Sequence, residues 1–150
     1  MYADPEIAIG IGIILSLFFT ETLGVTAGGV IVPGYIALYL HDPKMVLGTF
    51  AISLATFGII KFLSKFMLIY GKRRLVLSLL IGFLIGFWVK EYYASGELYV
   101  IGNIIPGLIA SWMDRQGILR TTSVVLIVAS IVNLIMMYIY YLDQFRMLYV

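Results

Sequence analysis

Gly29-Val-Ile-Val-Pro-Gly-Tyr-Ile-Ala37 and Gly102-Asn-Ile-Ile-Pro-Gly-Leu-Ile-Ala110 are one phrase written twice, 73 positions apart. Six of the nine residues coincide, at Gly29/Gly102, Ile31/Ile104, Pro33/Pro106, Gly34/Gly107, Ile36/Ile109 and Ala37/Ala110. Matching Ile and Ala residues come cheaply in an apolar chain, but a Pro-Gly pair inside equal flanks does not, and the recurrence reads as an internal repeat. Proline removes a helix hydrogen bond and glycine permits unusual backbone angles, so each copy predicts an interrupted segment with exposed N–H and C=O groups.

Apolar runs surround both copies: about Ile7 to Phe19, Gly24 to Leu40, Met45 to Ile60 with an extension to Tyr70, Leu75 to Val89, Leu98 to Met113, and Leu119 to Leu142. Polar knots separate them at Glu21, His41 to Lys44, Gly71 to Arg74, Lys90 to Glu97 and Asp114 to Gly117. With 62% hydrophobic residues, 12% charged residues and a mean hydropathy of +1.05, the chain has more apolar surface than a soluble globule of 150 residues can bury. The surplus must face lipid. The expected fold is an all-α polytopic membrane protein forming a single transmembrane domain over residues 1–150, with repeat 1 at about 5–72 and repeat 2 at about 75–145. Each repeat is a span, a Pro-Gly-broken segment and a second span. Asp4 and Glu6 precede the first run without any Lys or Arg, the wrong charge for the start of a cleavable secretory signal, so that run is expected to stay as a span.

If the broken segment crosses the bilayer, each unit has three crossings and the second copy is inverted, an arrangement that membrane carriers use to build a site at interrupted helices. If it dips in and returns, the units are parallel and four true spans remain. With Lys72, Arg73 and Arg74 cytoplasmic, six crossings put Lys61, Lys65, Lys72, Arg73, Arg74, Arg115 and Arg120 on the inner side and Lys44, Lys90 and Arg146 outside, seven against three. Four spans give six against four. The excess of inner positive charge favours the inverted arrangement.

The Pro-Gly breaks are the first candidates for chemistry, since a half-helix N-terminus attracts a carboxylate through its free N–H groups and dipole. The competing reading is a kink for close packing. At helical spacing Lys61, Lys65 and Lys72 share a face leading into Arg73 and Arg74, a stripe suited to a polyanion or an acidic protein surface, or simply to anionic lipid head groups. Glu21 ends the first apolar run with no basic neighbour in sequence and needs water, a proton or a partner across the bundle. Asp114-Arg115-Gln116-Gly117 has the make-up of a tight turn, with Asp114 expected to cap the next helix and Gly117 to take positive φ, while Arg115 and Arg120 add to the inner basic surface. Gly24-xxx-Gly28 and Gly82-xxx-Gly86 carry the spacing of close helix packing in lipid, and the eleven tyrosines fit an interfacial belt.

Several chemistries are excluded by residue type. Cys is absent, and His41 is the sole histidine, so no thiolate or paired-His metal site is expected and no metal is predicted. There is no phosphate loop, dinucleotide fingerprint or Ser/His/Asp set, so ATP-driven bond formation cannot be assigned to this chain. No nucleic-acid partner is expected.

At Gly29–Ala37, at Lys61 to Arg74, at Ile101–Ala110 with Arg115-Gln116-Gly117, and at Glu21 before Gly24, the chain resembles the CapC/PgsC family, the membrane subunit of the bacterial poly-γ-glutamate synthase complex. The similarity runs through most of the chain in one register. It implies a multi-pass subunit in the bacterial plasma membrane that is itself non-catalytic and has no cofactor of its own, ATP being handled by a partner amide ligase. A second membrane-anchored subunit, membrane lipid and the polymer complete the expected partners, and homo-oligomerisation is expected because 150 residues make a poor monomeric pore. Asn103 departs from a fully apolar second break and offers hydrogen bonds to a backbone group or a peptide.

On this basis Glu21, Pro33, Gly34, Asn103, Pro106 and Gly107 are the candidate polymer path. Lys61, Lys65, Lys72, Arg73, Arg74 and Arg115 are the candidate docking surface for the ligase or a polyanion. A free-standing secondary transporter for a small anion and a purely structural scaffold are the alternatives.

Overall fold

The structure, a computed structural model, describes residues 5–68, 70–92 and 104–150. These form six α-helices: α1 (Pro5–Leu23), α2 (Val32–Leu38), α3 (Pro43–Phe66), α4 (Lys72–Tyr92), α5 (Ile105–Gln116) and α6 (Ile118–Leu148). Four of them, α1, α3, α4 and α6, are long and apolar enough to cross a membrane. At about 1.5 Å per residue they measure roughly 28 to 46 Å against a hydrocarbon core of about 30 Å. The helices α2 and α5, with 7 and 12 residues, rise only about 10 and 18 Å and cannot span alone.

Pro33 and Pro106 do not interrupt helices; they start them. Each occupies the first turn of its short helix, where a missing N–H costs nothing and the fixed φ suits the helix. The starts are near copies: Ile31 and Ile104 precede them at φ −90°, ψ −29° and φ −95°, ψ −28°. The apolar run expected from Gly24 to Leu40 therefore divides into an irregular stretch and then α2. Gly24, Gly28 and Gly29 all take positive φ there, which corrects the reading of Gly24-xxx-Gly28 as a helix-packing motif. Gly24 ends α1, its N–H bonded to the Thr20 carbonyl at 3.1 Å.

Each short helix lies against the long helix before it with almost no space between backbones. A Cβ at Gly34 would stand 2.7 Å from Ile9 Cα, and one at Gly12 would stand 2.8 Å from Gly34 N. In the second half, a Cβ at Gly107 would stand 2.6 Å from the Ser78 carbonyl oxygen, and one at Gly82 would stand 2.7 Å from Gly107 N. Direction follows from the order of contacts. Ser16 donates to the Gly29 carbonyl, and Gly34 then meets Ala8, Ile9 and Gly12, so the chain after Gly24 runs back along α1 toward its start. Gly107 meets Ser78, Leu79 and Gly82, and Asp114 meets Arg74, so α5 runs back along α4.

The short helices also bridge the halves: α2 packs on α6, and α5 packs on α3. The core formed in this way is apolar, centred on Val32, Ile36, Ile109, Met113, Val125, Val128 and Val132, all essentially inaccessible. Thr49, Ser53 and Thr56 are fully buried on α3 and return their hydroxyls to carbonyls one turn back, which satisfies them at membrane depth.

Candidate functional site

One end of the bundle gathers most of the charge. The last turn of α1, the hairpin between α3 and α4, and the turn between α5 and α6 all meet there, linked by Arg74 to Asp114 and by Gln116 to Thr26. Lys61 and Lys65 are exposed on the last turns of α3, and Lys61 stands 5.4 Å from the Phe57 ring centroid. Because α3 ends at Phe66 and α4 begins at Lys72, Lys72 is not on the same helix as Lys61 and Lys65. The expected continuous stripe is a pair of shorter basic patches brought side by side by a tight connection. Lys72 and Arg73 are exposed in the first turn of α4, where the helix dipole disfavours cations, so helix stability does not explain them.

Arg74 has a different surrounding. Its Nη2 and Nε face the two carboxylate oxygens of Asp114, and the side chains keep only 28% and 16% of their exposure. Nη2 donates to Oδ1 in a charge-assisted hydrogen bond, whereas Nε stands against Oδ2 without making one, so the pair is a close ion pair with a single hydrogen bond. Asp114 therefore ties α5 to α4. It does not cap α6, whose N-cap is Gly117 at φ +98° with no side-chain cap bond. The positive φ expected of Gly117 is observed. Arg115, next in sequence, is exposed and lies 5.3 Å from the Trp112 ring centroid.

Gln116 is a residue whose role the sequence did not reveal. Its amide accepts from Thr26 N–H at 3.2 Å and donates to the Thr26 carbonyl, filling both backbone valences of a residue in the irregular stretch. Asn133, in the middle of α6, donates to the Ala37 carbonyl at 3.0 Å and closes the C-terminal end of α2 in the same manner. A lone amide in an apolar span is a legible sign of interhelical bonding. Gln116, in a polar turn, gives no such sign.

Among the other candidates, Pro33, Gly34, Pro106 and Gly107 are buried within the close crossings just described. Asn103 lies outside the described residues. Glu21 is exposed on the last turn of α1 and forms no ion pair among the described residues. Chemically, the charged end is suited to holding an acidic surface: Lys61, Lys65, Lys72, Arg73, Arg115 and Arg120 present exposed cations on a rigid base, with Arg74 neutralised beneath them.

Comparison with known proteins identifies related chains. The model of the family described as capsule biosynthesis CapC matches residues 11–122, a stretch that contains both glycine crossings, Arg74, Asp114 and Gln116. The chain is 35% identical over 146 residues to the PGA biosynthesis protein CapC of Bacillus subtilis (strain 168), covering 93% of this chain and 97% of that protein. It is 34% identical over 146 residues to the capsule biosynthesis protein CapC of Bacillus anthracis, with the same coverage. No solved structure matches the chain.

Proposed function

The chain belongs to the capsule biosynthesis CapC family, and from that membership we propose that it is the membrane subunit of a poly-γ-glutamate synthase and export complex in the bacterial plasma membrane. The observation that carries this reading is the full-length similarity to a protein named for PGA biosynthesis. The chain docks an ATP-dependent amide ligase on its charged end through Lys61, Lys65, Lys72, Arg73 and Arg115, with Arg74 held by Asp114 as the base of that surface. The ligase brings the ATP site, and this subunit adds no catalytic group and no cofactor. A second membrane-anchored subunit meets the opposite end.

The topology that fits this role has six crossings in two inverted copies. In support of it, the stretch from Gly24 through α2 and the stretch ending in α5 each run back along the preceding span, and the exposed cations collect at one end. Lipid-facing backbone must be satisfied internally, and the bonds from Ser16, Gln116 and Asn133 supply that for the first copy. The core between the short helices is filled by side chains. The polymer is therefore guided along a wall that Pro33, Gly34, Pro106 and Gly107 keep rigid, with Glu21 at its inner rim. That wall is completed by further copies of the chain or by partner subunits.

Replacing Lys72, Arg73 and Arg115 together by Gln tests the docking. Loss of co-purified ligase and of polymer, with the protein still inserted and monodisperse in detergent, is the expected result; unchanged ligase recovery overturns it. The second reading, a free-standing transporter for a small anion, is favoured by the two near-identical helix starts and predicts uptake into vesicles that contain this protein alone.

A further inference from the structure

Gly12, Gly34, Gly82 and Gly107 are each explained by a backbone against them; Gly10 on α1, Gly58 on α3 and Gly86 on α4 are not, and of these Gly86 is buried whereas Gly10 and Gly58 keep exposure on faces turned away from the core. A Cβ at either would meet nothing within 4 Å. Glycine in a helix interior costs about 1 kcal/mol relative to alanine, so two unexplained glycines on outward faces call for a contact that the isolated chain lacks. Their neighbours define those faces. On α1, Ile7, Gly10, Ile14 and Glu21 share one side at the helical period, opposite the buried Ala8, Gly12 and Ser16. On α3, Ala51, Leu54, Gly58 and Lys65 share one side, opposite the buried Thr49, Ser53, Thr56 and Ile60.

The two faces are complementary. Laid parallel with Glu21 level with Lys65, they place Ile7 opposite Ala51, Gly10 opposite Leu54 and Ile14 opposite Gly58, because each pair differs by the same number of residues. A large residue meets a small one at each of these three layers, the exposed Phe18 and Phe62 flank the next layer, and opposite charges meet at the end. Both helices run toward the charged end, so a parallel pairing needs no rearrangement of either. They cannot meet within one chain, since α1 packs on α2 and α6 while α3 packs on α4 and α5. Ile14 is 67% and Leu54 44% exposed, and neither Glu21 nor Lys65 has an ion-pair partner among the described residues.

We infer that the α1 face of one copy docks on the α3 face of the next, with Glu21 paired to Lys65 of the neighbour, building a head-to-tail assembly of this chain. Burial of apolar side chains against each other gives no hydrophobic gain in lipid, so association rests on close packing at Gly10 and Gly58 and on the charge pair. The contact joins two different surfaces and therefore propagates to a ring or an open row. It takes Lys65 and Glu21 into the contact between copies in place of the docking and path roles proposed above, leaves Lys61, Lys72, Arg73 and Arg115 of every copy free at the charged end, and does not depend on what the assembly synthesises.

The absence of native cysteines makes a clean test possible. Ile14→Cys and Gly58→Cys, carried on separately tagged full-length chains, are co-expressed and oxidised in native membranes, then separated without reductant. The expected result is a disulfide-linked dimer containing both tags, no dimer from either variant alone, and a ladder of higher products when one chain carries both cysteines. Equal linking by one variant alone means that a face pairs with itself and overturns the proposal, as does the absence of any mixed dimer. In the Ile14→Cys plus Gly58→Cys background, Glu21→Lys in the Ile14→Cys chain lowers the linked fraction by about tenfold, since like charges in contact are strongly disfavoured. Lys65→Glu in the other chain restores it. A linked fraction unmoved by Glu21→Lys overturns the assignment of the pair.

Discussion

The two short helices start alike and end differently. Both begin with an Ile-x-Pro-Gly turn, and both press a glycine against a glycine-bearing stretch of the preceding helix. Beyond that turn, α2 ends after 7 residues and is secured by neutral amides, with Asn133 on the Ala37 carbonyl and Gln116 on Thr26 in the stretch before it. In contrast, α5 continues for 12 residues and is secured by the Arg74–Asp114 pair at the charged end. The shared turn fixes where backbones cross. The unlike ends decide which end of the molecule carries charge, and so which end recruits a charged partner.

The largest test of this comparison is at the crossings themselves. Gly34→Ala and Gly107→Ala put a Cβ against backbone atoms that no rotamer change can move, and each is expected to cost about 3 kcal/mol or to prevent accumulation of folded protein. Thermal unfolding of the purified variants in detergent measures this, with Gly10→Ala and Gly58→Ala as controls that leave the monomer's stability unchanged or slightly raised. A large cost in one half and a small one in the other breaks the equivalence of the two crossings.

The next effect is at the charged end. Asp114→Ala strands Arg74 and is expected to cost about 2 kcal/mol, reduced from a buried value because both side chains keep some exposure. Adding Arg74→Leu recovers part of that loss, and the coupling in a double-mutant cycle read by melting temperature measures the pair.

Gln116→Ala removes two hydrogen bonds to Thr26 and is expected to cost about 1 to 2 kcal/mol, with proteolysis in the 24–31 stretch rising in step. Gln116→Glu keeps the acceptor for Thr26 N–H but sets a carboxylate oxygen against the Thr26 carbonyl, so a loss at least as large as for Gln116→Ala is expected. The smallest effect is at Asn133→Leu, about 0.6 kcal/mol, the usual value of an interhelical bond within a membrane. A loss at Asn133 as large as that at Asp114 erases the distinction between a neutral half and a charged half.

Much of this was legible along the chain. Composition required lipid contact, and the duplicated Pro-Gly pair marked both places where a short helix begins; the basic stripe expected from Lys61 to Arg74 is instead two patches on separate helices, with Arg74 held by Asp114. Gly82 was marked for close packing and does pack closely, whereas its partner Gly86 meets nothing within 4 Å. Gly12 was not marked, although Ala8-xxx-Gly12-xxx-Ser16 has the small-residue spacing of a close helix contact and Gly12 makes the same crossing. The proline reading was right in place and reversed in effect, because a proline that would break a helix interior is favourable in its first turn. Asp114 looked like a helix cap and is an ion-pair partner, since nothing local reveals an arginine forty residues away.

By itself, the sequence determined the solvent and the punctuation of this protein: apolar surplus demands lipid, and proline, glycine and charge set where segments start and stop. The direction in which each short helix runs, the use of Gln116 and Asn133 to fill backbone valences, and the neutralisation of Arg74 were decided only by tertiary structure. The physical reason is that periodicity and composition act over a few residues, whereas these contacts join residues 13 to 96 positions apart.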